Sequence, residues 1–123
     1  MFEKKNYKPL GQTSLLISPV TLGTMTFGEQ NTQQEAFGQL DYALSQGINS
    51  FDVAELYPVP PKAETYSRTE TIIGSWLKKK SRDQILLSTK IAGPRRGLNW
   101  IRGGPASLDE KNIFKAVEDS LKR

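Results

Sequence analysis

Apolar positions along this chain alternate between two habits: short runs bounded by turn residues, which suit strands, and steps of three and four, which suit helices. Residues 7–10 and 15–18 flank Gly11-Gln12-Thr13-Ser14 and read as a β-hairpin closed by a glycine-containing turn. The next strand is expected over 20–24. Ala36, Leu40, Ala43 and Leu44 then recur at helical spacing, opened by a Thr32-x-x-Glu35 capping box and stopped at Gly47. A strand over 49–53 leads into a proline-heavy loop over 57–62. The following helix starts near Thr69 and buries Ile72, Ile73, Trp76 and Leu77. It frays into Lys78, Lys79 and Lys80, whose charge suits the negative end of the helix dipole. Residues 85–89 are a nearly continuous apolar run, the pattern of a parallel strand covered on both faces. Residues 92–105 are rich in Gly and Pro without any period and read as a long loop. Asp109, or Ser107 with Glu110, then caps a last helix with Ile113, Val117 and Leu121 at steps of four.

The order is hairpin, then β-α-β-α-β-loop-α, with no repeat and no linker to a second domain. Strands alternating with helices imply an α/β fold with parallel pairing through right-handed crossovers, and ligands at the C-terminal ends of the strands. A length of 123 residues is that of one ordinary domain, or of half a β/α barrel of roughly 250 residues.

Composition narrows the function classes. With 37% apolar and 24% charged residues the chain has a soluble globular composition. Its net charge of +4 is mild and spread out, so no nucleic-acid partner is expected. The absence of Cys excludes disulfides and thiol chemistry, and the absence of His as well argues against zinc. No stretch approaches the roughly 18 apolar residues of a membrane span, and the N-terminus has no apolar leader, so a cytoplasmic protein without membrane association is expected.

The chemistry gathers at strand ends. Gly23-Thr24, Asp52 and Lys90 each close a strand, and Tyr57 follows Asp52 in the loop Phe51-Asp52-Val53-Ala54-Glu55-Leu56-Tyr57. Taken singly, Asp52 reads as a loop cap, Tyr57 as a loop anchor and Lys90 as a solvent-facing cation. Together they place an acid, a phenol and an ammonium on one rim. An ammonium beside a phenol favours the phenolate, which suits the phenol to proton donation toward a carbonyl oxygen.

These segments resemble the N-terminal part of an aldo-keto reductase. Leu22-Gly23-Thr24-Met25-Thr26-Phe27-Gly28 resembles the family's first-strand motif, 47–57 its Asp-to-Tyr signature, and Ser88-Thr89-Lys90 its third-strand lysine. Residues 28–31 and 57–61 resemble the family's bacterial Tas-like branch. The resemblance implies the N-terminal portion of a (β/α)8 barrel with a preceding β-hairpin, about three βα units, so that residues 1–123 form a single incomplete barrel domain. It implies NADP(H)-dependent reduction of aldehydes or ketones to alcohols, with a small carbonyl substrate. By the family pattern Tyr57 is the general acid, Lys90 makes it the better donor, and Asp52 pairs with Lys90. Gly23, Thr24, Met25, Gln30 and Asp52 match positions lining the nicotinamide and its ribose. The family's catalytic histidine comes from a fourth strand not present here, so the chain alone is expected to be inactive and to self-associate through open sheet edges. The alternatives are a nucleotide-sensing module like a potassium-channel β-subunit and a non-functional fragment.

Other residues carry weaker signals. Glu55 suits a supporting role more than that of a base, and Arg95, Arg96 and Arg102 read as a solvated loop before they read as an anion site. Pro58-Val59-Pro60-Pro61 reads as a stiffened loop rather than a polyproline ligand. Trp76 is expected in the core, while Trp100 fits a substrate pocket and a plain loop position equally.

Overall fold

The computed structural model describes residues 1–123. At the start of the chain β1 (Lys8–Pro9) and β2 (Leu16–Ile17) pair antiparallel, and the Leu10 amide donates to the Leu15 carbonyl at 2.8 Å to close the turn. Asn49 docks this hairpin: its side chain accepts from the Ser18 amide and donates to the Leu16 carbonyl, both at 2.8 Å. The hairpin thus sits at the N-terminal end of the strand that follows Asn49.

The main sheet holds three parallel strands in the order β3 (Thr21–Gly23), β4 (Ser50–Asp52) and β5 (Leu86–Ser88). Its register aligns Leu22, Phe51 and Leu87 in one row and Gly23, Asp52 and Ser88 in the next. Side chains alternate between faces along a strand, so the first row points toward the helices and the second away from them. Phe51 accordingly lies in the core, edge-on to Trp76 with ring centroids 5.4 Å apart.

The helix α1 (Gln33–Ser45) begins as expected, with Thr32 and Glu35 exchanging side-chain to backbone hydrogen bonds in a capping box. It buries Ala36, Leu40 and Ala43, and the chain leaves it through Gly47 at φ +79. A Cβ there would stand 2.0 Å from the Phe2 carbonyl oxygen, so both backbone angle and space call for glycine. The second helix, α2 (Arg68–Leu77), buries Ile72, Ile73 and Trp76 against the same core and ends where the three lysines begin.

One expectation about the fold changes. The run over 85–89 is not covered on both faces: Ile85 is buried, but Leu86 is half-buried and Ser88 exposed. The sheet is open, so β5 is an edge strand, and with the hairpin it lines a cavity of about 670 Å³ on the face away from the helices. The last helix, α3 (Glu110–Lys122), takes Asp109 as its cap, with the carboxylate accepting from the Asn112 amide. Of its apolar residues only Ala116 is buried, while Phe114 and Leu121 are 62% and 82% exposed. Polar ties hold α3 instead, from Arg102 to Asn112 and from Ser120 and Arg123 to Glu70 of α2.

The loop before α3 is more ordered than its composition suggests. Ala92, Leu98, Ile101 and Ala106 form a second small core, joined by Leu56, Tyr66 and Trp100.

Candidate active site

The rim at the C-terminal ends of β3, β4 and β5 brings together the residues expected there. Because Ser88 lies opposite Asp52 in the β4–β5 register, Lys90 two residues on emerges beside the same carboxylate. The Lys90 ammonium donates to Asp52 Oδ2 at 2.6 Å, and the Ser88 hydroxyl donates to Oδ1 at 2.8 Å. Both carboxylate oxygens are therefore engaged. Partial burial pushes the Asp52 carboxyl upward, but the bonds from Lys90 and Ser88 outweigh it and hold the group below the usual carboxylate range. For Lys90 burial acts downward, and interactions with Asp52 and Tyr57 reverse this, leaving the ammonium above the ordinary lysine value.

Tyr57 stands in the turn after β4, its amide donating to the Ala54 carbonyl at 3.1 Å. Its ring packs against the main core on one side and lies under the Lys90 ammonium, 4.8 Å from centroid to nitrogen. That distance is within the range of a cation–π contact. Acid, ammonium and phenol thus share one rim although 38 positions separate Asp52 from Lys90.

The remaining rim residues divide. Gly23 is exposed, and no atom lies within 4 Å of where its Cβ would be, so the rim is open beside Asp52. Met25 is 50% exposed, and its carbonyl accepts from the Val59 amide at 2.9 Å, tying the first loop to the proline loop. Thr24 is fully buried; its hydroxyl and amide both donate to the Asp52 carbonyl, at 2.7 and 3.1 Å, so its side chain braces the end of β4. Gln30 is exposed in the turn before α1, and its side chain joins no hydrogen bond with Asp52, Tyr57 or Lys90.

Sequence reasoning missed Ser88. Its signal was available, since a residue two before Lys90 on the same strand shares that face. Arg102 needs a correction: it does not lie in a solvated loop. Its side chain is 1% exposed, and it meets Glu55, also 1% exposed, at 2.5 Å. Glu55 further accepts from the Tyr66 hydroxyl at 2.5 Å and the Ala92 amide at 2.8 Å. A buried carboxylate demands such partners, but nothing in the spacing of Glu55 and Arg102 announces them as a pair. Trp100 packs edge-on to Tyr66 at 5.6 Å as part of the second small core. No helix is long and apolar enough to cross a membrane.

Three parallel strands with a hairpin at their base carry an Asp, a Lys and a Tyr together at their C-terminal rim, the arrangement of an α/β fold with a candidate site at its strand ends. Residues 19–123 match the model of the aldo/keto reductase family, and the chain belongs to that family. It is 50% identical over 118 residues to Protein tas of Escherichia coli strain K12, covering 95% of this chain and 34% of that protein. It is 38% identical over 123 residues to the "uncharacterized oxidoreductase YrpG" of Bacillus subtilis, covering 95% of this chain and 36% of that one. Among solved structures it superposes on a "putative aldo-keto reductase" from Pseudomonas aeruginosa with a TM-score of 0.73 at 26% identity, covering 97% of this chain and 42% of that chain. The chain thus spans about a third of the length of these curated relatives, and its fold is a portion of the aldo-keto reductase barrel.

Proposed function

We propose that this chain carries the proton-donating part of the site of an NADP(H)-dependent oxidoreductase that reduces aldehydes or ketones to alcohols, residues 1–123 being part of one larger barrel domain. The observation that supports this best is the grouping of Asp52, Lys90 and Tyr57 on one strand-end rim.

Carbonyl reduction requires a proton at the oxygen as negative charge develops there. Tyr57 is the donor: its phenol sits at the open rim and its ring is held by the core beneath. Lys90 places a positive charge beside the phenol and stabilises the phenolate left by donation. Asp52 holds that ammonium in place and keeps it charged, and Ser88 holds Asp52.

The rim fits a nicotinamide and its ribose. Gly23 leaves open space next to the carboxylate, Met25 offers an exposed apolar side chain, and Asp52 can accept from a ribose hydroxyl. Gly23, Thr24, Met25, Gln30 and Asp52 would hold that part of the cofactor, Thr24 by bracing Asp52. When bound, the cofactor supplies the hydride.

The test is a chimera in which residues 1–123 replace the matching segment of the Escherichia coli relative. The chimera is expected to oxidise NADPH when given aldehydes or ketones. Tyr57→Phe should lower that turnover by about 10²- to 10⁴-fold while leaving NADPH binding in place. A folded chimera that turns over no carbonyl in such a panel, or a Tyr57→Phe variant as active as its parent, would sink the proposal.

A further inference from the structure

The Glu55–Arg102 pair has no part in the chemistry above, yet it is among the most deeply buried charge pairs in the chain. What it grips is the backbone on either side of Ile91. The Glu55 amide donates to the Lys90 carbonyl at 3.0 Å, and the Glu55 carboxylate accepts from the Ala92 amide at 2.8 Å. Arg102 donates from Nη1 to both Glu55 oxygens, at 2.7 and 2.5 Å, and from Nη2 to the Ala92 carbonyl at 3.2 Å. The segment that leaves Lys90 is therefore held by one glutamate and one arginine. Glu55 itself lies two residues before Tyr57, in the same short loop. The clamp thus joins the backbone carrying the phenol to the backbone carrying the ammonium.

Arg102 adopts φ 52, in the left-handed region that favours glycine, although Gly103 and Gly104 stand next to it. Such a conformation persists where the surroundings hold it, and here it turns the guanidinium inward. The same fork also donates to the Ser107 carbonyl and to Asn112 of α3, so one side chain ties the two ends of the loop behind the rim.

We infer that Arg102 is a positioning residue: acting through Glu55, it fixes the backbone after Lys90 and so sets the ammonium between Asp52 and Tyr57. The inference rests on the reductase reading only for what that placement serves. The placement itself is testable without turnover.

Removing one partner alone would leave an uncompensated buried charge, whereas removing both is far better tolerated. The decisive variant is therefore the double substitution Glu55→Gln with Arg102→Met in the 123-residue chain, with protection of the β4 amides from exchange reporting that the main core has formed. The readout is the rate of Lys90 acetylation by acetic anhydride as a function of pH, read by mass spectrometry against the other lysines. In the parent Lys90 should react slowly, since it is held charged by Asp52. In the folded double variant it is expected to react severalfold faster at the same pH, with its titration midpoint lowered. A purely structural pair would change the melting temperature and leave Lys90 titrating as before, and that result would overturn the inference. If the double variant does not fold, amide exchange in the unmodified chain decides: Ala92 should be protected as well as the β4 amides, and exchange as fast as at the exposed Arg95 and Arg96 would overturn it. Failure of the chimera to oxidise NADPH would count against the reductase reading and leave these outcomes unaffected.

Discussion

The Lys90 ammonium lies 2.6 Å from Asp52 Oδ2 and 4.8 Å from the centroid of the Tyr57 ring. The parallel register of β4 and β5 brings the pair together, and the turn after β4 slides the phenol beneath it. Asp52 and Lys90 are 36% and 48% exposed, so the pair is screened by solvent and its energetic worth is set mainly by its charge states.

Those charge states define a pH window. Asp52 is held below the usual carboxylate range, so its contribution to stability is present above the unfolded carboxyl pKa and is lost as pH falls through the lowered value. Lys90 is raised, so its contribution is present below the unfolded lysine pKa and disappears as pH rises through the raised value. Asp52→Asn is expected to cost about 0.2–1 kcal/mol at neutral pH, the usual worth of a partly exposed pair. The cost should shrink at both acid and alkaline extremes. Melting temperatures of parent and variant across pH check this, and a pH-independent difference would contradict it.

The Tyr66 phenol should titrate late. Burial first, then its hydrogen bond and proximity to the Glu55 carboxylate, push its phenol up to about 12. The protonated form is the one the fold favours, so this contribution is present below the unfolded phenol pKa and is lost as pH rises through about 12. Phenolate absorbance should show a late step among the four tyrosines, and Tyr66→Phe should remove it.

Trp76 is the largest side chain of the core, 2% exposed, and its indole N–H donates to Asp41 at 2.7 Å. Trp76→Ala is expected to cost about 3–5 kcal/mol by cavity formation, a large share of an ordinary domain's total of about 5–15 kcal/mol. Trp76→Phe should cost less, because it keeps part of the edge-on contact with Phe51 while abandoning the Asp41 hydrogen bond. Denaturant unfolding followed by circular dichroism measures both.

Self-association is expected of the 123-residue chain. The β3 and β5 edges are unpaired, and α3 exposes Ile113, Phe114, Val117 and Leu121. Sedimentation velocity should show concentration-dependent larger species, and Phe114→Lys with Leu121→Lys should reduce them. A monomer at every concentration would refute the expectation.

Much of this protein was legible from local patterns because the forces that write them are local. The Thr32–Glu35 box, the apolar spacing of Ala36, Leu40 and Ala43, and the run of lysines after Leu77 each determine an element through neighbours a turn away. Alternation and strand order were enough to place Gly23, Asp52 and Lys90 at one end of a parallel sheet, because a crossover returns each strand in the same direction. The 85–89 run reads as doubly covered because hydrophobicity records what a strand can bury and says nothing of what lies opposite it.

Tertiary structure decided what depends on partners distant in sequence. It turned Arg102 from a loop cation into the counter-ion of Glu55, 47 residues away, since a buried carboxylate is satisfied by whatever donor the fold brings to it. It committed the Thr24 hydroxyl to the Asp52 carbonyl and brought Ser88 onto the Asp52 carboxylate, two roles that follow from register. The sequence by itself determined which residues stand at the ends of the strands; the packing of the loops determined which of them touch, because loop backbone polar groups must find partners and only the folded chain supplies them.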